Sequence, residues 1–396
     1  MDDLLKRTVL APLILILASQ TVITMSSYAL PVIAPLAAKD MGLAPASIGG
    51  LMTVVYLCAM VIGLGSGSLV GRLGATRVFQ LLLLFTCFGI AALAAGHPVL
   101  AFLGALLIGV ATGPMNPCGS SVLARISPPQ WQPLVFSLKQ CGTPSGGMLA
   151  GALLPALALL YDWRLALMII PAVGVVMIIV LTFNRPYLDA PERRAVPLSL
   201  AGTLRTLKLV ISHAELRRYA ITGMSFATCQ IGIASYLVVF LWEKVAMSPA
   251  QAGAVFAAFH VSGIVARIIL GFFAGRMIST RALLTLLGLI MAFGTATIIL
   301  FTQQWPTWSI YGVICALGAS ANGWVGLFLS EVARLAPEGE TAAATGGVQF
   351  FMYFGIGGGP AIFLAILKTT DGYDGPFLTF AAIALLASGL LLTQRR

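Results

Sequence analysis

Two cations stand inside apolar runs of this sequence. Arg267 lies in the middle of HVSGIVARIILGFFAGR (260–276), and Lys139 lies within PLVFSLKQCGTPSGG (133–147). A positive charge at the centre of a lipid bilayer costs at least about 2.5 kcal/mol unless something compensates it. The planar guanidinium offers a carboxylate two parallel N–H donors, whereas an ammonium acts as a point charge. His260 precedes Arg267 by seven residues, two helical turns on about the same face. An imidazole titrates near physiological pH, so it is the side chain suited to carry a coupled proton. The chemistry these three residues suggest is reversible binding of a small anion in step with a proton. Each has a plainer reading as well. Arg267 could bond helix carbonyls or snorkel to the surface, Lys139 stands near a helix start and could snorkel, and His260 could be a neutral hydrogen-bonding residue.

The acids matter by their placement. None of the 13 Asp and Glu residues falls near the middle of an apolar run, and the nearest, Glu331, is expected at a run's end. Uncharged polar residues do fall inside: Gln20, Thr24 and Tyr28 in the first run, Asn116 in the fourth, Gln230 and Tyr236 in the seventh, Asn322 in the tenth. Gln349 and Tyr353 share one face of the eleventh. Each is a candidate substrate contact, or else an interhelical hydrogen bond of about 0.6 kcal/mol. Phe259, Phe350 and Phe354 are candidate pocket walls or lipid-facing packing. No nucleophile–base pair or metal set lies in the runs, so neither an enzyme, a metal site nor a cofactor is expected. The six cysteines lack metal spacing and read as small packing residues.

Such residues need elements that hold them in a membrane. The chain has 396 residues, 59% hydrophobic and 9% charged, far from the roughly 25% charge of soluble domains. Punctuation by Gly, Pro and charge divides it into twelve apolar segments, most with about 20 residues or more, the length that crosses a bilayer. They lie near 9–37, 47–71, 77–96, 99–123, 132–160, 164–183, 217–243, 249–275, 281–303, 306–331, 342–368 and 375–393. The first segment is expected to be retained as a membrane helix, because its apolar run outlasts a signal peptide. Seventeen of the 23 basic residues fall in loops on the side of the termini; only Lys39, Arg164, Lys244 and Lys368 fall on the other. The positive-inside rule then makes both termini cytoplasmic. The net charge of +10 is thereby a topology signal, with no nucleic-acid partner implied. The longest loop, 184–216, includes LAGTLRTLKLVI, a candidate amphipathic helix at the membrane surface.

The second half repeats the first. GSLVGRLGATR (67–77) matches GFFAGRMISTR (271–281) at an offset of 204, and ARISP (124–128) matches ARLAP (333–337) at 209. Gln140 and Gln349 share the second offset. Twelve helices, a central loop and the pattern G-x-x-x-G-R-x-x-x-x-R after helices two and eight resemble the major facilitator superfamily along the whole chain. The motif residues are Gly67, Arg72, Gly74 and Arg77, echoed by Gly271, Arg276 and Arg281, with Gly71 and Gly275 where the family usually has an acid. Within the superfamily, GIVARIILG resembles the helix-eight arginine segment of monocarboxylate and oxalate/formate transporters. SLKQCGTPSGG resembles a helix-five segment of cyanate-type and other small-anion members.

The expectation is therefore an all-α integral membrane protein with twelve transmembrane helices in two pseudo-symmetric six-helix bundles: residues 1–183, a cytoplasmic linker 184–216, and residues 217–396. The resemblance implies alternating access around a central site, which Lys139 and Arg267 would approach from opposite halves. The expected activity is secondary transport of a small organic anion, a carboxylate above all, by proton symport or anion exchange across the cytoplasmic (inner) membrane. The expected partners are that anion, protons and membrane lipid, and the expected state is a monomer. An efflux pump for neutral or anionic drugs is the alternative; a cationic drug would want a buried acid.

Overall fold

The computed structural model describes residues 9–63, 65–128, 131–189, 200–273, 278–338, 340–370 and 372–392. Twelve of its helices are long and apolar enough to cross a membrane. The chain divides into two units, Met1–Leu198 and Ser199–Arg396.

The first unit contains α1 (Ala11–Met41), α2 (Pro45–Gly63), α3 (Ser66–Leu73), α4 (Ala75–Ala94), α5 (Pro98–Ile126), α6 (Gln132–Gln140), α7 (Gly142–Leu160), α8 (Trp163–Leu167), α9 (Ile169–Phe183) and α10 (Arg185–Leu188). Local signals set the ends. Gly42, at φ 63°, closes α1 in the left-handed conformation that glycine adopts freely. The His97 side chain accepts from the Val99 N–H to start α5, and Asp162 does the same for Trp163 at α8. The fifth apolar segment, expected as one helix over 132–160, crosses as one span over Leu134–Leu160, with a single irregular turn at Cys141 between α6 and α7.

The second unit contains α11 (Leu200–Ser212), α12 (Ala214–Glu243), α13 (Pro249–Phe273), α14 (Thr280–Ile298), α15 (Thr307–Leu335), α16 (Thr341–Thr370) and α17 (Asp374–Leu392). The central loop is thus partly helical. Its α10 belongs to the first unit. Its α11 packs on α16, where Gly347 makes room for Thr206 and Val210.

The two units pack alike inside. In the first, α1 pairs with α7, α2 with α5, and α4 with both α5 and α9. In the second, α12 pairs with α16, α13 with α15, and α14 with both α15 and α17. Counted as membrane spans, each partner has moved on by six. Small residues permit the closest of these contacts. A Cβ at Gly109 or Gly113 of α5 would overlap the Val55 or Ala59 carbonyl of α2; one at Gly318 of α15 would overlap the Phe259 carbonyl of α13. Gly146 meets Thr21 and Thr24 of α1, as Gly355 and Gly359 meet Met224 and Thr228 of α12. The first span of each unit is its most enclosed: 83% of the α1 window and 89% of the α12 window is buried, against 28% for the sixth span.

Candidate functional site

In the first unit Lys139 occupies the last turn of α6, fully buried. Its Nζ donates to the Asn116 carbonyl (3.0 Å), to the Asn116 side-chain oxygen and to the Ser120 hydroxyl (2.8 Å), all on α5. The predicted candidates Lys139 and Asn116 are therefore brought together. Their stems meet where α5 is slimmest: a Cβ added at Gly119 would stand 3.3 Å from Lys139 Cε. Gln20 of α1 donates to the Thr143 hydroxyl of α7 at 3.0 Å, while Thr24 bonds the Gln20 carbonyl at 2.7 Å and the Gly142 carbonyl at 3.3 Å. Gln20 thus ties α1 to the start of α7. Tyr28 is fully buried in α1.

In the second unit a directed chain of hydrogen bonds leads to Arg267. Trp324 Nε1 donates to Gln230 Oε1 (3.2 Å), and Gln230 Nε2 donates to Asn322 Oδ1 (3.1 Å). Asn322 Nδ2 donates to the Gly318 carbonyl (3.2 Å) and to the Phe259 carbonyl (3.5 Å). The Asn322 carbonyl accepts from Arg267 Nε at 2.7 Å. The chain joins α12, α15 and α13, and its residues Gln230, Asn322 and Trp324 are 7%, 1% and 0% exposed. Buried amides in such a chain have their orientation fixed, because a flipped amide would face donor to donor. Arg267 itself is half-buried. His260 is fully buried on α13, with the rings of Phe256 and Phe259 edge-on at 4.7 and 5.1 Å.

On α16, Gln349 and Tyr353 are half-buried one turn apart; Phe350 stands beside them, and Phe354 is exposed, 5.1 Å from Phe350. Tyr236 of α12 is buried, stacked on Phe363 at 4.3 Å and donating to the Pro360 carbonyl at 3.0 Å. It serves packing between α12 and α16.

The loop motif divides. Gly67 lies in α3 and Gly271 in α13, Arg72 and Arg77 are exposed, and Arg276 falls outside the described residues. Arg281 Nε donates to the Leu391 carbonyl. Gly74 has φ 81°, and a Cβ there would meet Asp189 Oδ1 at 2.8 Å. That carboxylate accepts from the Thr76 N–H (3.0 Å) at the start of α4 and from Arg185 (2.9 Å). Arg125 of α5 holds the adjoining Leu188 carbonyl at 2.7 Å. An acid is thus present at this loop, delivered from the stretch after the sixth span instead of from position 71.

Among the described residues, every acid lies in a loop or near a helix end. Asp40 accepts from Trp163 (2.9 Å) and pairs with Arg164 (2.8 Å), Glu243 accepts from Tyr373 (2.6 Å), and Glu331 pairs with Arg334 (2.5 Å). Two site residues escaped the sequence reading. Ser120 had a signal, since it follows Asn116 by four and shares its face. Trp324 had none, because its partner Gln230 is 94 residues away.

Known proteins resemble this chain in sequence as well. One relative is a hexuronate transporter of Bacillus subtilis (strain 168), 24% identical over 172 residues, which cover 42% of this chain and 40% of that protein. The match thus spans less than half the length of that relative. The family model described as Major Facilitator Superfamily matches residues 16–360. With that match over most of its length and twelve membrane-crossing helices in two like-packed units, this multi-pass membrane protein belongs to the Major Facilitator Superfamily.

Proposed function

We infer that the protein is a secondary active transporter of small organic anions, carboxylates first among them, working by alternating access. One observation carries the reading: among the described residues, the charges well inside the spans are Lys139 and Arg267, both positive, while the acids keep to the ends. A transporter of cations would show the reverse. The hexuronate transporter gives independent support, since a hexuronate is a sugar carrying a carboxylate.

Arg267 is the anion contact in this reading. The carbonyl of Asn322 fixes its Nε, which aims the guanidinium plane, and a planar donor fork selects a planar carboxylate over a spherical anion. Gln349 and Tyr353, half-buried on α16, supply further polar contacts. Gln230 and Asn322 frame the site from α12 and α15, with their amides committed between helices. His260 carries the coupled proton in a symport cycle, two turns from Arg267 on the same helix; anion exchange is the other form of the cycle. The membrane is the cytoplasmic one, with both termini inside, and the working unit is a monomer.

A thermal-shift screen of purified protein tests this against mono-, di- and aromatic carboxylates, inorganic anions and lipophilic cations, with Arg267→Ala alongside. The expected result is stabilisation by a carboxylate, with affinity at least about tenfold weaker in the variant, the loss of a charge-assisted hydrogen bond. Stabilisation by lipophilic cations, or by anions equally in both proteins, would move the function to efflux and leave Arg267 structural.

A further inference from the structure

Lys139 is buried, and among the described residues no carboxylate pairs with it. Its three hydrogen-bond partners are the two oxygens of Asn116 and the hydroxyl of Ser120, and all three are neutral. Its side chain has no exposed surface. The helices packed on α6 bring little charge to it. On α1 the titratable groups are Tyr28, Lys39 and Asp40, the last two at the far end of a 31-residue helix. On α5 they are Cys118 and Arg125, and α7 has none. Cys118 neighbours Gly119 on α5 with its thiol bonded to the Ala75 carbonyl, Cys141 follows Lys139 in the chain, and Ile16 of α1 and Phe79 of α4 approach the same face of Gly119 as Lys139 Cε. The end of α6 offers the ammonium partial negative charge, an effect confined to one turn.

The partner set suits both states of the amine. An ammonium has three N–H donors, and three acceptors surround it. A neutral amine has two donors and one lone pair. The two Asn116 oxygens can accept the two hydrogens, and the Ser120 hydroxyl, which is donor as well as acceptor, can turn its proton onto the lone pair. A carboxylate partner could not do this, since it only accepts when ionised. The amine is satisfied in either state.

We propose that Lys139, Asn116 and Ser120 form a reversible proton-binding site within the first unit, at which Nζ alternates between ammonium and amine. In the release step one N–H bond of the ammonium breaks, its electron pair stays on Nζ, and the proton passes to water. His260 belongs to the other unit, and the proposal does not rest on the anion reading. The site would let the N-terminal half sense protons by itself and change the grip of α6 on α5 when it does.

The test is a pH titration of the full-length protein in lipid nanodiscs, labelled with lysine carrying nitrogen-15 at Nζ and followed by NMR from about pH 5 to about pH 10, a range over which ordinary lysines remain largely ammonium. The chain has only six lysines, and Lys139→Arg identifies the signal of interest. The expected result is one Nζ resonance, absent from Lys139→Arg, that moves from the ammonium to the amine position inside that range. Ser120→Ala should release the proton about one pH unit lower, because a bond from a charged donor is roughly twice as strong as one between neutral groups. If all six Nζ signals of the wild-type protein stay ammonium throughout, Lys139 is a fixed structural charge and the proposal fails. That outcome needs no variant and no substrate, so it is separable from the fate of the Arg267 reading.

Discussion

At the scale of single residues, Arg267 is held by a partner from another helix. A cation in an apolar run is conspicuous, so Arg267 and Lys139 could be singled out from their neighbours alone. Their partners could not, because a helix says nothing about which side chain of another helix will meet it. Asn322, 55 residues from Arg267, offers its backbone carbonyl, a group no sequence pattern marks. The Trp324 indole is the least visible member, and it orders the rest by fixing the Gln230 amide. Trp324→Phe keeps an aromatic ring between Phe226 and Phe328 but leaves Gln230 Oε1 buried without its donor. An unsatisfied buried acceptor costs about 1–3 kcal/mol. The variant should therefore unfold at a lower temperature and, because Asn322 loses its anchor, show a smaller stabilisation by the carboxylate that stabilises the wild type. A variant with both values unchanged would show that the chain of hydrogen bonds does not position Arg267.

Among elements, existence was easy to read and contact was not. Twelve apolar runs announce twelve spans, since a run of about 20 apolar residues satisfies its backbone inside lipid as a helix. The irregular turn at Cys141 has no mark in PLVFSLKQCGTPSGG, where Gly142 is one of three glycines. What places it is the close approach of Gly142 and Gly146 to α1, where Thr21 and Thr24 bond the Gly142 carbonyl. The same logic makes α15 testable. A methyl at Gly318 would overlap the Phe259 carbonyl, and a backbone carbonyl cannot swing aside; Gly312, on the same helix, has nothing within 4 Å. Gly318→Ala should force α13 and α15 apart at a cost of about 1–3 kcal/mol. Gly312→Ala should be neutral or stabilise by up to about 1 kcal/mol, through helix propensity. Thermal unfolding of the pair in one detergent reads the difference; equal shifts would mean that close packing here contributes little.

The whole molecule is a repeat whose two copies solve the same problems with different side chains. At the end of its first span, each unit ties a carboxylate to the start of its sixth. Asp40 accepts from Trp163 and Arg164, and Glu243 accepts from Tyr373, whose phenol is pushed well above its ordinary range by burial and then by that carboxylate, so it stays a donor. Short sequence matches at offsets of 204 and 209 exposed the duplication; the ties did not match, since Asp–Trp and Glu–Tyr share chemistry and no letters. These ends carry Lys39, Arg164, Lys244 and Lys368, the sparse set of basic residues, while Arg125, Arg185 and Arg334 crowd the opposite ends. Charge asymmetry of that size orients a membrane protein, because basic loops resist translocation. Gln304, in the turn between α14 and α15, should then face outward, and Glu338, between α15 and α16, should face the cytoplasm. In intact cells a membrane-impermeant maleimide should modify Gln304→Cys and should reach Glu338→Cys only after permeabilisation. The reverse pattern would invert the topology, and with it the direction in which any proton gradient could drive the anion.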